Sequence, residues 1–229
     1  MDTTRILAIR HGETAWNADT RLQGHTDIPL NERGLWQAER TAQALAVQEP
    51  LHAIYSSDLQ RALVTAQTLA RHTQAPLTVL PGLRERGFGK FEGKTFTEIE
   101  ALWPDEAQLW RDRLPHWAPE GGESLEKVHQ RVLEVLHELA ARHVGQHIAV
   151  VAHGGVMDNF YRAATGQSLT SPRTWALSNA AINRLLWTPQ GLTLVGWGDT
   201  SHLEDGVLNE ANYKGCLLYT SPSPRDRTR

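Results

Sequence analysis

Cysteine is almost absent from this chain of 229 residues. The single one, Cys216, lies in a C-terminal stretch, residues 215–229, that reads like a translated sequencing adapter or else a disordered native tail. We therefore expect one folded domain over residues 1–214. Because no cysteine remains in that range, disulfides, thiol catalysis and cysteine-ligated zinc are excluded there.

Long hydrophobic runs and clustered positive charge are also missing. No apolar run approaches the roughly 20 residues of a membrane span, and Ile6–Ile9 is too short for the core of a signal peptide. The net charge is −3, and Lys and Arg are dispersed without the basic stripe that nucleic-acid binding requires. We expect a cytoplasmic protein that binds neither membranes nor nucleic acids.

What the chain does contain is a regular alternation of strand-length apolar segments and segments of helical periodicity. Asn31 and Ser124 are predicted to begin two of the helices as N-caps, and either Ser57 or Asp58 a third. Residues 180–197 predict a closing hairpin. Strands are predicted at Ile6–Ile9, Ala53–Tyr55, Pro76–Leu80 and His147–Ala152. This alternation predicts an α/β fold, a three-layer α/β/α sandwich around a mostly parallel sheet.

Two of the predicted strands end in a histidine followed by glycine, at His11 and at His153. A third is followed at once by a helix with Arg61 in its first turn. Since the carboxyl ends of parallel strands meet at one edge of a sheet, these groups should converge with Arg10 and Asn17. Guanidinium groups bind phosphate through paired, charge-assisted hydrogen bonds, so the sequence predicts a pocket for a phosphate dianion.

Other interpretations of these residues stay open at this point. His11 is a candidate nucleophile for phosphoryl groups, but a histidine in a polar loop can also simply bind backbone. Glu13 and Asp158 are the nearest carboxylates in sequence for a metal site, yet the adjacent arginines would repel a divalent cation. We expect no metal and no cofactor. The helix N-terminus at Gly154, like the one after Asp58, would add backbone donors for an anion.

Six short motifs follow one another along the chain. They are Arg10-His11-Gly12-Glu13-Thr14 with Asn17, Leu30-Asn31-Glu32-Arg33-Gly34 with Gln37-Ala38, Ser56-Ser57-Asp58-Leu59 with Arg61-Ala62 and Thr65-Ala66, Leu83-Arg84-Glu85, Gly121-Gly122-Glu123-Ser124, and His153-Gly154-Gly155. Together they resemble the motifs of the histidine phosphatase (phosphoglycerate mutase-like) superfamily, and the resemblance runs from about Ile6 to Trp197. The resemblance implies a Rossmann-like three-layer fold, no metal and a transient phosphohistidine.

The resemblance also implies a role for each matching residue. His11 is the position that becomes phosphorylated, and Glu85 is the general acid and base, although Glu85 taken alone favours a surface salt bridge with Arg84 or Arg86. Arg10, Arg61 and His153 complete the phosphate pocket. Further phosphate or substrate contacts are expected from Asn17 and Gly154, and from Gln23 and Gly24, which could instead form a turn.

Within this superfamily the sequence favours a phosphatase that hydrolyses a small phosphorylated metabolite. The interval from Glu85 to His153 lacks the longer insertion typical of cofactor-dependent mutases, and Phe88–Gly93 resembles the phosphatase branch. The alternatives are a phosphoglycerate mutase and a non-catalytic module that binds phosphorylated ligands. The physiological substrate and the oligomeric state, including a homodimer, stay open.

Overall fold

The computed structural model describes residues 3–48 and 50–204, so the predicted tail at 215–229 lies outside the described residues. Strands and helices alternate along most of this range. The strands are β1 (Thr4–Arg10), β2 (Ala53–Ser56), β3 (Leu77–Val79), β4 (His147–Ala152), β5 (Ile182–Thr188) and β6 (Gly191–Asp199). The α-helices are α1 (Ala15–Ala18), α2 (Glu32–Ala46), α3 (Gln60–Thr73), α4 (Phe96–Leu102), α5 (Pro104–Arg111), α6 (Leu125–Arg142) and α7 (Gly154–Thr165).

The six strands form one sheet in the order β3-β2-β4-β1-β5-β6. The pairs β3–β2, β2–β4 and β4–β1 are parallel, whereas β5 runs antiparallel to both of its neighbours. The predicted hairpin is therefore present, and it extends the sheet beyond β1. The expectation of a mostly parallel sheet is confirmed.

Helices cover both faces of the sheet, because the central strands are apolar on both sides. Ile6 and Ala8 of β1 pack with residues of α6 and α7, whereas Leu7 and Ile9 pack with residues of α2 and α3. Every residue of β4 is buried. The predicted three-layer α/β/α sandwich is confirmed.

Side chains begin two of the main helices as the sequence predicts. Asn31 accepts a hydrogen bond from the backbone nitrogen of Gly34 at the start of α2, and Ser124 accepts one from Lys127 at the start of α6. Each satisfies a backbone donor that the first helical turn leaves without an intrahelical partner.

The predicted cap of α3 is wrong. The N-cap residue is Leu59, and the backbone nitrogen of Gln60 donates instead to Asp27, at 2.7 Å. The hydroxyl group of Ser57 accepts from the backbone nitrogen of Leu59, and the carboxylate of Asp58 forms two hydrogen bonds with the guanidinium of Arg84. The backbone nitrogen of Gln60, the first donor of α3, is therefore used by a protein oxygen.

Among the described residues, no helix combines the length and the apolar character that crossing a bilayer requires.

Candidate active site

The register of β1 and β4 brings the two histidines together. Arg10 pairs with Ala152, and the backbone nitrogen of His11 donates to the carbonyl oxygen of Ala152 at 3.0 Å. His11 and His153 therefore leave the sheet side by side, with ring centroids 5.2 Å apart. Their convergence follows from strand pairing, as the sequence predicts.

The ring of His11 is held in one tautomer. Its Nδ1 lies 2.6 Å from the carbonyl oxygen of Gly12, which can only accept, so Nδ1 carries the proton and donates. Burial, followed by the charges of Arg10 and Arg61, holds the pKa of His11 well below its usual value. The imidazole is therefore neutral at pH 7, and the lone pair of Nε2 is available for attack on an electrophile.

His153 lies behind His11 at the N-cap of α7 and is fully buried. Neither ring nitrogen has a hydrogen-bond partner among the described residues. Burial and then the charges of Arg61, His11 and Arg10 keep the pKa of His153 well below its usual value. A neutral imidazole carries one donor and one acceptor, so His153 can donate one hydrogen bond to an oxygen beside His11.

Two arginines are fixed by backbone carbonyl groups around these rings. Arg10, at the end of β1, donates through Nη1 to Leu177, and burial lowers its pKa to about 10, so it stays protonated at neutral pH. Arg61 donates to the carbonyl oxygens of Gly24 (2.7 Å) and Thr26 (2.9 Å). The Nε of each arginine is buried and has no partner among the described residues, so each can still donate to an anion.

The loop that holds Arg61 is itself held by Glu92. One carboxylate oxygen of Glu92 accepts from the backbone nitrogens of His25 and Phe88, both at 3.0 Å. The other accepts from the backbone nitrogen and the hydroxyl group of Thr26. Glu92 therefore joins the loop that carries Gly24 and Thr26 to the segment that follows Glu85, a connection that the sequence pattern does not reveal.

Glu85 does not pair with a neighbouring arginine. Its carboxylate accepts from the backbone nitrogen of Arg86 at 2.8 Å and from that of Gly155, at 3.0 Å for each oxygen. Arg84 is bound instead to Asp58. Gly155 belongs to the first turn of α7, so this helix N-terminus orients a carboxylate at the site.

A cavity of about 500 Å³ opens at this edge of the sheet. Apart from His153, which lies behind His11, all the site residues predicted from the sequence line it: Arg10, His11, Asn17, Gln23, Gly24, Arg61, Glu85 and Gly154. The structure thus brings the predicted residues to one place.

The residues of less certain role contribute in different ways. Asn17 lines the cavity, and its side-chain oxygen accepts from Thr14 in a capping box at the start of α1. The side-chain oxygen of Gln23 is buried and has no partner among the described residues. Gly24 acts through its carbonyl oxygen on Arg61. Glu13 accepts from Asn31 and lies 3.7 Å from Arg33, so its contacts are structural.

Sequence reasoning missed a second group of cations. Arg86, Arg113 and Arg173 also line the cavity, together with the ring of Trp110. These arginines come from three separate loops outside the strand ends, so motif spacing gave no signal for them.

Among the described residues, no cluster of three or more His, Cys, Asp or Glu side chains is arranged to hold a metal ion. Asp158 lines the cavity but pairs with Arg162 and Arg113. Glu13 lies apart from it, bound to Asn31.

Comparisons with known proteins agree with this geometry. The family model of the histidine phosphatase superfamily (branch 1) matches residues 6–200. Phosphoglycerate mutase-like protein 4 of Arabidopsis thaliana is 35% identical over 219 residues, which is 94% of each chain. A metal-independent phosphoserine phosphatase of the same plant is 35% identical, over 93% of this chain and 89% of its own.

A similar solved structure is also that of a phosphatase. The mycobacterial glucosyl-3-phosphoglycerate phosphatase superposes with a TM-score of 0.77 at 31% identity, covering 86% of this chain and all of its own. Phosphatases stand among the similar proteins in both comparisons, so the prediction of a phosphomonoesterase is confirmed at the level of the family. The chain belongs to the histidine phosphatase superfamily, branch 1.

Proposed function

We propose that the protein is a metal-independent phosphomonoester hydrolase that acts on a small phosphorylated metabolite through a phosphohistidine at His11. The observation that carries this proposal is the state of His11: a neutral ring, fixed by its Nδ1–H donation to Gly12, at a cavity that Arg10 and Arg61 also line. Such a ring is a nucleophile already in the required tautomer.

In the first step, the lone pair of His11 Nε2 attacks phosphorus and the ester P–O bond breaks. Arg10 and Arg61 stabilise the charge on the non-bridging oxygens, and His153 donates a further hydrogen bond. The leaving oxygen takes a proton from the carboxyl group of Glu85.

In the second step, the Glu85 carboxylate takes a proton from water as its oxygen attacks the phosphorus. The P–N bond breaks, inorganic phosphate leaves, and His11 returns to the neutral form. Throughout both steps Nδ1 keeps its proton and its bond to Gly12, so the ring does not change tautomer.

Hydrolysis is supported by the phosphatases among the similar proteins. Two of them are named for phosphoserine and for glucosyl-3-phosphoglycerate as substrates. Other similar proteins carry mutase names, so a phosphoglycerate mutase is the second candidate. Phosphate release separates the two. A mutase primed with 2,3-bisphosphoglycerate would convert 3-phosphoglycerate into its 2-isomer with little release of phosphate.

The test is turnover of p-nitrophenyl phosphate and of a panel of phosphorylated metabolites by the purified protein. We expect release of phosphate that EDTA leaves unchanged and that vanadate, a mimic of pentavalent phosphorus, inhibits. A brief reaction with ³²P-labelled substrate should leave acid-labile label on the wild type and none on His11→Gln. Label that persists on His11→Gln would show that another residue is the nucleophile, and no turnover at all would favour a non-catalytic binding module.

A further inference from the structure

The segment that carries Glu85 has little regular structure of its own. It follows a single 3₁₀ turn, Pro81–Leu83, and residues 84–87 belong to no helix or strand. The backbone nitrogens of Arg86 and Gly87 donate to carboxylate side chains and not to a neighbouring strand. The position of the proposed general acid therefore depends on the side chains that bind this segment.

Arg131, near the start of α6, binds the main chain that leads to Glu85. Its Nη1 donates to the carbonyl oxygens of Gly82 (2.9 Å) and Arg84 (3.0 Å), and its Nη2 donates to that of Glu85 itself (3.3 Å). His25 donates to the same oxygen of Glu85, at 2.8 Å. Because the donors of a guanidinium lie in one plane, the three carbonyl groups that bind Arg131 are held in a fixed arrangement.

Glu123 extends this arrangement to the other side of Glu85. Its carboxylate accepts from Nη2 of Arg131 at 2.9 Å and from Nε at 3.3 Å, so all five N–H groups of Arg131 have acceptors. The carboxylate also accepts from the backbone nitrogen of Gly87 at 2.9 Å, and the backbone nitrogen of Glu123 donates to the carbonyl oxygen of Gly87 at 2.8 Å. Arg131 and Glu123 together thus bind the main chain on both sides of Glu85.

The pair is itself held firmly. The side chains of Arg131 and Glu123 are 23% and 12% exposed. Burial by itself would raise the pKa of Glu123, but the hydrogen bonds from Gly87 and Arg131 lower it, so the carboxylate is ionised at neutral pH. Val128 and Val132, on either side of Arg131 in α6, are buried in the core. The fixed position of α6 is therefore passed on to the loop that carries the acid.

Neither Arg131 nor Glu123 is among the described residues that line the cavity. Loss of their contacts would leave Arg10 and Arg61 in the phosphate pocket and would change where the carboxyl group of Glu85 is held. Such a change has a specific chemical signature. Proton donation matters more as the leaving oxygen becomes more basic, so a misplaced acid slows esters of weakly acidic alcohols and phenols most.

We propose that Arg131, with Glu123, is a positioning residue for the general acid: it fixes the main chain on both sides of Glu85, so that the carboxyl group meets the leaving oxygen. This inference rests on the proposed function, because it takes Glu85 as the group that protonates the leaving oxygen. Arg131 touches no reacting atom in this role.

A series of leaving groups tests the role. kcat/KM would be measured for phenyl phosphates with nitro, hydrogen or methoxy in the para position, so that the pKa of the phenol rises while the ring stays the same. For the wild type we expect kcat/KM to depend weakly on that pKa, because Glu85 supplies the proton. In Arg131→Gln, p-nitrophenyl phosphate should be little affected, whereas the methoxyphenyl ester should lose on the order of tenfold. Arg131→Lys, which has three donors at a single nitrogen, should lie between the two.

Arg142→Gln is the matched control. It removes an exposed arginine at the far end of the same helix, bound to Glu138, and should keep the wild-type dependence on leaving-group pKa. Inhibition by vanadate is a second measurement, because it reports on the phosphate pocket around His11, and it should be unchanged in Arg131→Gln. A wild-type dependence in Arg131→Gln, whatever its overall rate, would overturn the positioning role. If Arg131→Gln does not fold, a wild-type dependence in Arg131→Lys would overturn it equally.

Glu85→Gln, measured on the same esters, keeps the two proposals apart. If Glu85→Gln steepens the dependence and Arg131→Gln does not, the general acid stands and the positioning role fails. If hydrolysis proceeds and Glu85→Gln keeps the wild-type dependence, the acid step of the proposed function fails, and the positioning role fails with it. Steeper dependence in both variants, with vanadate inhibition intact in Arg131→Gln, is the result we expect.

Discussion

The backbone nitrogen of Gly155 lies 3.0 Å from both carboxylate oxygens of Glu85. A Cβ atom at position 155 would come within 2.2 Å of Glu85 Oε1, so only glycine allows this contact. The general acid and base of the proposed mechanism is therefore placed by a residue that carries no functional group.

Gly155→Ala should move the Glu85 carboxyl group away from the leaving oxygen. Alkyl phosphates, whose leaving groups need a proton, should lose activity by a factor on the order of 10 to 100, and p-nitrophenyl phosphate should lose less. The measurement is kcat/KM on both kinds of substrate. Gly196→Ala in β6 is the control, because a Cβ there would have 4.0 Å of room. Equal losses on both substrates would argue against an acid role for Glu85.

The two buried histidines should make stability depend on pH. Burial is the largest cause of the lowered pKa of both His11 and His153, so the unfolded chain takes up protons first as the pH falls through about 6.5. The free energy of unfolding should therefore fall below about pH 7, by up to about 1.4 kcal/mol for each imidazole between pH 7.5 and pH 5.5.

Urea unfolding of the wild type and of His153→Gln at these two pH values measures this effect. The variant should lose about 1 kcal/mol less than the wild type on acidification, because glutamine takes up no proton. Identical losses would show that the His153 ring is protonated as readily in the folded protein as in the unfolded chain.

We expect neither the stability nor the activity of the protein to depend on residues 215–229. All the described contacts of the site come from residues between 10 and 180. A variant that ends at Lys214 should keep the wild-type midpoint of urea unfolding and the same kcat/KM for p-nitrophenyl phosphate. A clear fall in either quantity would assign the tail to the native domain and contradict its interpretation as adapter sequence.

Strand pairing accounts for the two histidines of the predicted site, whereas Glu85 on its loop is predicted only from the resemblance of its motif. Once β1 and β4 pair side by side, His11 and His153 must lie next to each other at the ends of these strands. Each strand can be recognised in the sequence as an apolar run followed by His-Gly. Contacts between loops carry no such periodicity. The carboxylate of Asp27 accepts from the backbone nitrogen of Gln60 at the start of α3, 33 positions along the chain. Arg113, which lines the cavity, has a left-handed backbone conformation. No local sequence pattern indicates either feature.

Glu92 is the clearest example of such a contact, and it leads to a last prediction. Its carboxylate accepts from the backbone of His25, Thr26 and Phe88, and so fixes the loop whose carbonyl groups hold Arg61. Burial by itself would raise the pKa of Glu92, but the hydrogen bonds that its carboxylate accepts together lower it.

Glu92→Gln puts an amide, with donors of its own, where the loops need only acceptors. The free energy of unfolding should fall by about 1.5 to 3 kcal/mol, the range for hydrogen bonds to a charged group. kcat/KM should fall as well, because Arg61 loses its fixed position, and sensitivity to vanadate should fall with it. Glu120→Gln, at an exposed carboxylate near Lys90, is the control and should match the wild type. A Glu92→Gln protein that is less stable yet keeps full kcat/KM and full vanadate inhibition would show that Glu92 supports the fold without positioning Arg61.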